Sequence, residues 1–513
     1  MAQSPLTDEF NGWVREKLEA WKVPGMSLAI VDGDDIFTQG YGYATLPDVE
    51  ATPDSLYYGA STTKAMVAAT LSHMIDSKKY PQLAAGWDTK FSSLIRDDFV
   101  LQDEWATNHL TLEDAVCHRT GMPRYDKSLA HRVDGREATC RDVVRNFRNL
   151  SLNAEPRTTF QYCNIMYIAL GHAIEAVSGK SLGDMMKEVI WGPLGMKSTY
   201  LSLDDVEKAP EHFSAGYYWD KKAEQFKEVP PMEIGEDAAP GGVISTVADY
   251  ARWVKCLLDE AAPFSSNAHK DMRKPRILAT TEPAKGADLS TYGLGWFRNV
   301  YKGHDMYSHS GGMHAFGAQV YWFPGAKFGA IALGNTAWTS NAVEDTVLFR
   351  LIDEKLGIPE SDRFDFEKRH SSWRDAIQTL KGDVEDPVKS VFPDISEPPL
   401  PPTFTTSELA GRYSDPGYGE IRLVEEAHPE KPDEKILVAN RDEMTWPYKM
   451  LVSHATGDYW VVNVITHRNP TLVNDFQAGK FIRGVGGKVS ALSITWGGYM
   501  SDSDGETTFK RVD

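Results

Sequence analysis

Five prolines fall within ten residues near position 400, and this run divides the chain into two unlike parts. It covers residues 393–402 (Pro-Asp-Ile-Ser-Glu-Pro-Pro-Leu-Pro-Pro), a composition that allows neither a helix interior nor a central strand. We interpret the run as the end of a stiff linker. The sequence therefore predicts a large domain over residues 1–358, a partly helical and proline-rich linker over 359–402, and a C-terminal domain over 403–513.

The segment beyond the linker consists of short β runs separated by clusters of Gly, Pro and Asp. Four of these runs are residues 421–424, 435–438, 459–465 and 489–496. Such spacing is typical of an antiparallel barrel or sandwich. We expect an antiparallel, lipocalin-like β-barrel here.

The large domain has strand signals near both of its ends and helical signals between them. Apolar runs predict early strands at 27–31 and 36–43 and late strands at 316–323 and 328–333. Helical spacing and capping residues predict helices at 8–22, 110–116, 164–178, 246–258, 338–356 and, in the linker, 373–380. The fold class is therefore α+β: one antiparallel sheet flanked by helices, with an inserted helical subdomain over about 65–275.

Charge and composition exclude several classes of function. The 513 residues carry 54 Lys and Arg against 73 Asp and Glu, a formal net charge of −19. Such a field repels phosphate backbones and anionic lipid, so we expect neither nucleic-acid nor membrane partners. The first residues lack a signal-peptide pattern, which predicts a cytoplasmic protein. Four cysteines without metal-ligand spacing are expected to be reduced thiols.

One short motif points to nucleophilic chemistry. Ser61-Thr-Thr-Lys64 stands at the start of the apolar run 65–75, which predicts a buried helix. Residues three apart share one helix face, so the Ser61 hydroxyl and the Lys64 amine can meet. Burial disfavours a charged amine, and a neutral lysine can take the serine proton. The alternative is an ordinary serine at a helix start.

Two further motifs follow in the chain, Tyr162-Cys163-Asn164 and His309-Ser310-Gly311-Gly312. With Ser61-x-x-Lys64 they resemble the three motifs of the penicillin-recognising serine enzymes. Stretches resembling landmarks of that family lie at 23–31, 120–123, 240–246 and 292–296, so the resemblance covers residues 8–357. More narrowly the chain resembles the class C β-lactamase branch, which includes family VIII esterases, D-aminopeptidases and some acyltransferases. Several such relatives also carry a β-barrel tail.

The resemblance implies a role for each motif residue. Ser61 would be the nucleophile, Lys64 its proton acceptor, and Tyr162 would share that proton and pass it to the leaving group. Whether Lys64 or Tyr162 is the principal base stays open at this point. Asn164 would bind Lys64 or a substrate amide, or would only cap a helix.

The third motif would bind substrate and stabilise negative charge. The backbone N–H groups of Gly312 and Ser61 would form the oxyanion hole. Ser310 would donate a hydrogen bond to substrate, and Gly311 would let substrate approach the strand closely.

His309 departs from the lysine that penicillin targets and β-lactamases usually carry. A histidine is mostly neutral at pH 7, so it gives no permanent charge for a substrate carboxylate. Relatives with His-x-Gly at this place are largely esterases, D-amino-acid peptidases and acyltransferases. The resemblance therefore implies one of these activities more than a strong β-lactamase, without excluding slow β-lactam turnover.

Three alternative interpretations of single residues carry less weight. A metal site at His304, Asp305, His309 and His314 matches no familiar ligand spacing. Cys163 could be a nucleophile, but a small buried residue explains its neighbours better. The aromatic side chains next to the motifs could line the pocket, although core packing is expected for most of them: Tyr57, Tyr125, Trp296, His314 and Phe316.

Taken together, these features predict a serine hydrolase that forms an acyl-enzyme on Ser61 from a small-molecule ester, lactone or amide. The alternatives are an acyltransferase with a second small-molecule acceptor, a D-aminopeptidase, a true β-lactamase, and a catalytically silent binding protein. No cofactor or metal is implied. The C-terminal barrel would shape the cleft, mediate dimer contacts or only stabilise the fold.

Overall fold

The computed structural model describes residues 3–233, 235–280, 288–371, 386–395, 397–429, 431–466, 468–469, 474–498 and 501–513. The longer helices are α1 (Asp8–Ala20), α2 (Thr63–Asp76), α7 (Asn164–Ser178), α12 (Val247–Asp259), α13 (Ser266–Arg273) and α14 (Thr339–Leu356). Shorter ones are α3 (Phe91–Leu94), α4 (Glu104–His109), α5 (Leu112–Val116), α6 (Cys140–Asn146), α8 (Leu182–Met186), α9 (Gly192–Leu194), α10 (Leu203–Val206), α11 (Ala238–Gly241), α15 (Pro387–Val391) and α16 (Thr406–Leu409).

The central sheet draws its strands from both ends of the large domain. They are β1 (Gly25–Asp32), β2 (Asp35–Thr45), β3 (Val49–Glu50), β11 (Ile277–Thr280), β12 (Ser290–Tyr292), β13 (Phe297–Tyr301), β14 (His304–Met313), β15 (Phe316–Phe323) and β16 (Phe328–Gly334). The order is β11-β12-β13-β14-β15-β16-β1-β2-β3, and each pairing is antiparallel. Met26 in β1 lies opposite Gly334 on one side and Tyr41 on the other. The predicted sheet is therefore confirmed.

Both faces of the sheet are buried, which is why its central strands are apolar at consecutive positions. In β1 the side chains of Leu28 and Ile30 pack with α1 and α14, where Val14 and Val347 belong to the same core. Ala29 and the other alternate residues face the second and larger core, which includes the helical subdomain. Helix α2 runs through this second core and is buried on all sides, as its continuous apolar sequence predicts.

Short strands also occur inside the helical region, where the sequence indicated little strand. They are β4 (Tyr57–Tyr58), β7 (Thr199–Tyr200) and β10 (Ile244–Ser245), which pair with one another, and the hairpins β5 (Arg132–Val133) with β6 (Arg136–Glu137) and β8 (Gly216–Asp220) with β9 (Gln225–Val229). The strands β4, β5, β6, β7 and β10 have two residues each, too short to show alternation. β8 and β9 have five residues each, but burial does not alternate along either strand.

The C-terminal segment is a closed antiparallel barrel of eight strands. These are β17 (Gly411–Asp415), β18 (Gly419–Ala427), β19 (Lys435–Arg441), β20 (Tyr448–Thr456), β21 (Tyr459–Thr466), β22 (Asn474–Arg483), β23 (Val489–Gly498) and β24 (Ser501–Arg511). Buried aromatic rings contact one another in its core; the Phe481 ring centre lies 5.9 Å from Tyr413 and 5.6 Å from Trp460. An eight-stranded barrel is just wide enough to be filled by side chains in this way. The α+β fold with a C-terminal barrel is confirmed.

Two expectations are not tested by this architecture. The helix predicted at 373–380 lies outside the described residues, and the domain boundaries at 358 and 402 stay predictions. Within the described ranges, no helix combines the length and the apolar character needed to cross a lipid bilayer.

Candidate active site

The nucleophile candidate lies in a tight turn whose shape is fixed by its neighbours. Ser61 belongs to the 3₁₀ turn Ala60–Thr62, which leads directly into α2. Ala60 has a φ of 46°, which is uncommon for a residue with a side chain. Glycine is required at position 59, because a Cβ atom there would lie 2.1 Å from the Tyr250 hydroxyl. The turn therefore holds Ser61 at the first residues of a rigid element.

Lys64 reaches back along the helix to Ser61, as the spacing predicts. Its Nζ donates to Ser61 Oγ at 3.1 Å and to the Pro240 carbonyl at 2.9 Å. The same atom lies 4.8 Å from the ring centre of Tyr162 and 5.4 Å from that of Tyr167. The Lys64 side chain is fully buried. The structure thus encloses an amine, a hydroxyl and two aromatic faces in one small space.

This enclosure changes the acid–base properties of Lys64. Burial lowers the pKa of the Lys64 amine from its ordinary 10.5 to about 7, and the nearby positive charge of Arg124 acts in the same direction. The carboxyl groups of Asp237 and Asp126 oppose the shift. A substantial fraction of Lys64 is therefore neutral near pH 7 and able to accept a proton.

The Tyr162 ring lies against the same amine, and the pKa of its phenol is shifted in the opposite direction. Burial raises the pKa of its phenol above the ordinary value of 10, and the neighbouring Ser61 hydroxyl only partly offsets this. The Arg124 guanidinium lies 5.2 Å from the centre of the Tyr162 ring. The phenol thus stays protonated at neutral pH and can donate a proton, which favours Lys64 over Tyr162 as the group that first accepts one.

Asn164 neither caps its helix nor bonds to Lys64. It is the first residue of α7, and the residue at the cap position is Cys163, so the helix-cap interpretation is wrong. Its Nδ2 donates to Asp126 Oδ1 at 3.1 Å, whereas the Lys64 amine bonds to Ser61 and Pro240. Asn164 Oδ1 is buried and makes no hydrogen bond to any described group. A substrate N–H remains a suitable partner for it.

His309 occupies the lysine position of the third motif as a neutral side chain. It lies in β14, is 2% exposed, and its Nδ1 donates to the Ser310 carbonyl at 2.7 Å. Its Nε2 then accepts from the Tyr292 hydroxyl at 3.0 Å. Burial, with the positive charge of Lys64, lowers the pKa of His309 to about 3. His309 therefore supplies no fixed positive charge.

The remaining residues of this motif alternate between the two faces of β14. Ser310 and Gly312 are exposed, and His309 and Gly311 are buried. A Cβ atom at Gly311 would lie 2.3 Å from the Gly59 carbonyl oxygen. Gly311 thus allows the strand to approach the turn of Ser61, and its expected role in the approach of substrate stays a prediction.

Several alternatives from the sequence lose support. The Cys163 thiol is fully buried and donates to the Pro123 carbonyl at 3.1 Å, as expected of a packed residue. In the described part of the chain, no group of three His, Cys, Asp or Glu side chains has the arrangement of a metal site. The five aromatic residues next to the motifs are all at most 4% exposed: Tyr57, Tyr125, Trp296, His314 and Phe316.

The C-terminal barrel contacts three segments that border this site. One is the segment just after Asp126, the second precedes Pro240, and the third follows β14. The first segment is joined to the barrel by the ion pair of Lys127 with Asp475 at 2.7 Å and by the His131 N–H, which donates to the Glu443 carbonyl at 2.9 Å. In the second segment, Glu236 accepts from the Thr445 hydroxyl and the Pro231 carbonyl accepts from Arg468 at 3.1 Å. In the third, the His314 carbonyl accepts from Asn469 at 2.6 Å. The Trp446 and His314 rings meet edge to face with centres 4.8 Å apart. The barrel is therefore part of the surroundings of the site.

Replacing Trp446 should change substrate preference more than it changes stability. Trp446→Ala removes a large half-buried ring beside His314, two residues after Gly312. We expect the ratio of kcat/KM between a bulky and a small acyl ester to shift by about 10-fold, with Trp446→Phe intermediate. The measurement is a series of p-nitrophenyl esters of increasing acyl size.

The matched control is Tyr459→Ala, which removes an exposed barrel ring that contacts Phe392 and Lys480 instead. Its ratio should equal that of the wild type. An unchanged ratio in Trp446→Ala would contradict a role of the barrel in the cleft.

Sequence reasoning missed the residues that surround Lys64. Arg124, Asp126 and Asp237 belong to none of the three motifs, and the Pro240 carbonyl contributes through the backbone. Their place in the sequence was the available signal. Arg124 and Asp126 follow the landmark stretch 120–123, Asp237 comes just before the landmark stretch 240–246, and Pro240 is the first residue of that stretch.

Comparisons with known proteins agree with the geometry. The family model described as Beta-lactamase matches residues 10–353. The chain is 34% identical over 516 residues to an Unguisins hydrolase of Aspergillus campestris, covering 99% of this chain and 94% of that protein. A second Unguisins hydrolase, from Aspergillus violaceofuscus, is also 34% identical, covering 99% of this chain and 91% of that protein.

Two solved structures share the fold at low identity. The octameric penicillin-binding protein homologue from Pyrococcus abyssi is 19% identical with a TM-score of 0.62, covering 98% of this chain and all of that one. D-amino acid amidase from Ochrobactrum anthropi SV3 is 19% identical with a TM-score of 0.56, covering 68% of this chain and all of that one. The family model spans most of the chain, and the relatives match over nearly all of it, so the chain belongs to the Beta-lactamase family.

Proposed function

We propose that this chain is a serine hydrolase that cleaves an amide or ester of a small molecule through an acyl-enzyme on Ser61. The observation that carries the proposal is the 3.1 Å contact between Ser61 Oγ and a buried Lys64 amine whose pKa is lowered to about 7. A hydroxyl next to a neutral amine is an activated nucleophile.

Acylation would begin when Lys64 Nζ accepts the Ser61 proton while Oγ attacks the substrate carbonyl carbon. The carbonyl oxygen gains negative charge, which the N–H groups of Ser61 and Gly312 would stabilise. The proton would return through the Tyr162 hydroxyl to the leaving nitrogen or oxygen, whose bond to the carbonyl carbon breaks. Water, losing a proton to the same groups, would then attack the ester and release the acid and free Ser61.

Two observations support a neutral substrate with an amide or ester bond. His309 is neutral and buried, so the third motif offers no fixed cation to a substrate carboxylate. The relatives that match over nearly the whole chain are named as hydrolases, and a structural neighbour is an amidase. These names support amide hydrolysis more than acyl transfer.

The test is a panel of substrates with intact-mass detection of the acyl-enzyme. We expect turnover of phenylalanine amide or p-nitrophenyl acetate with a matching mass increase on Ser61. Converting a substrate carboxylate to its methyl ester should not lower kcat/KM, whereas a site with a fixed cation would lose about 10-fold or more. Binding without turnover of any amide, ester or lactone would contradict the proposal. Acylated product from added alcohol or amine would instead indicate the acyltransferase.

A further inference from the structure

His118 is a buried histidine beside the candidate site that belongs to none of the three motifs. It follows α5 and is fully buried, with a φ of 59°. Left-handed backbone is uncommon outside glycine, and a residue kept there is held by its surroundings. This conformation places the backbone and the ring of His118 against the segment that contains Tyr162.

Both neighbours of Tyr162 in the chain are hydrogen-bonded to His118. The Gln161 N–H donates to the His118 carbonyl at 2.8 Å, and the Cys163 N–H donates to His118 Nδ1 at 3.0 Å. The His118 ring also stacks on the Tyr162 ring, with centres 4.3 Å apart and planes 29° apart. One residue therefore holds the backbone on each side of Tyr162 and covers one face of its ring.

These bonds also fix the state of the imidazole. Nδ1 accepts a hydrogen bond, so the proton of the neutral ring is on Nε2. Burial lowers the pKa of His118 far below 6.5, and the positive charges of Lys64 and Arg124 act in the same direction. Nε2 makes no hydrogen bond within the described part of the chain. The ring therefore has a geometric role and carries no proton to or from Ser61.

We propose that His118 is a positioning residue for Tyr162, fixing the phenol against Ser61 and Lys64 through the two hydrogen bonds and the ring contact. This inference rests on the proposed function, because it assumes that Tyr162 passes a proton to the leaving group. A displacement of about 1 Å in a reacting group can cost about 100-fold in rate. The phenol hydroxyl lies at the end of a long side chain, so a small backbone shift at 161–163 moves it appreciably.

A double-mutant cycle between positions 118 and 162 tests the proposal. His118→Phe keeps an aromatic ring but removes the acceptor for the Cys163 N–H. We expect it to lower kcat by about 100-fold with little change in KM. In the Tyr162→Phe background, the same substitution should lower kcat by less than about 3-fold, because the hydroxyl to be positioned is already gone.

His118→Asn provides a conservative rescue. Its side-chain oxygen can accept the Cys163 N–H, and asparagine tolerates left-handed backbone better than phenylalanine does. We expect His118→Asn to retain a higher kcat than His118→Phe when each rate is divided by the folded fraction of that variant, measured by circular dichroism. A lower kcat in His118→Asn than in His118→Phe would overturn the proposal.

The matched control is His269→Phe, another buried histidine with one hydrogen bond, to the Ala261 carbonyl at 2.8 Å on α13. It should lower the melting temperature and leave kcat unchanged. An equal loss from His118→Phe in both backgrounds would overturn the positioning role while leaving the proposed hydrolase intact. If Tyr162→Phe retained full activity, both the role of Tyr162 and the positioning inference would fail.

Discussion

Ser61→Ala should abolish turnover, lowering kcat by at least about 10⁴-fold, and should end acylation of the protein entirely. The substitution removes the hydroxyl oxygen to which the Lys64 amine donates and leaves the surrounding backbone in place. Alanine keeps the Cβ atom and removes only the hydroxyl, so it fits the 3₁₀ turn Ala60–Thr62. Intact-mass measurement after a fluorophosphonate probe should show one adduct in the wild type and none in Ser61→Ala.

Ser77→Ala is the matched control for this substitution. Ser77 caps the other end of α2, and its hydroxyl donates to the Met74 carbonyl. Its variant should be labelled and active like the wild type. Turnover that is unchanged in Ser61→Ala would overturn the acyl-enzyme proposal, whereas no labelling and no turnover in either protein would indicate the silent binding protein.

Lys64→Met is expected to lower kcat by about 10³-fold, the size of a general-base contribution. Methionine is unbranched, one atom shorter than lysine and apolar, so it suits this buried position and the variant should fold. In the wild type, kcat/KM should rise with pH around a midpoint of about 7, because the amine is neutral only above its pKa. The residual activity of Lys64→Met should lack this rise. Stopped-assay rates between pH 5 and 9 measure both.

Substitutions of two neighbours of Lys64 should move the midpoint of the pH profile of kcat/KM in opposite directions. The positive charge of Arg124 lowers the pKa of Lys64, so Arg124→Gln should move the midpoint to higher pH. The carboxylate of Asp126 raises it, so Asp126→Asn should move the midpoint to lower pH. Shifts of both variants in the same direction would show that another group controls the profile.

Because Lys64 is buried, its contribution to the free energy of unfolding depends on pH. The unfolded chain holds the Lys64 proton up to its ordinary pKa of 10.5, whereas the folded chain loses it near 7. Between these values the unfolded state binds more protons, so the contribution of Lys64 to the free energy of unfolding rises with pH. Lys64→Met should therefore exceed the wild type in melting temperature most at pH 7 and least near pH 10.

The sequence predicts the elements well wherever a repeated pattern is long. Helix α7 occupies residues 164–178 as expected, since its apolar residues recur at helical spacing and Gly179 ends it with a φ of 69°. Strands β15 and β16 likewise match their apolar runs within one residue. The Ser61 to Lys64 contact follows from helix geometry alone.

What could not be predicted depends on contacts between distant parts of the chain. Asn164 was expected to bind Lys64 or a substrate amide, or else to cap its helix, and no pattern in the sequence indicated that its amide donates to Asp126, which is 38 residues away. The place of Gly311 depends on the Gly59 carbonyl, over 250 residues earlier. The choice between Lys64 and Tyr162 as base required the burial of both, and burial at a junction of several segments leaves no local pattern.

The pairing of β1 with β16 joins two segments that are synthesised far apart in time. The turn of Ser61 leaves the ribosome early, but β14 and its Gly312 follow about 250 residues later, and the sheet is complete only when β16 pairs with β1. A nascent chain of 300 residues thus holds a serine and a lysine without the strand that would stabilise the oxyanion. Contacts this distant in sequence form slowly. A nascent chain therefore lacks part of the proposed site until β14 has been made and the sheet has closed.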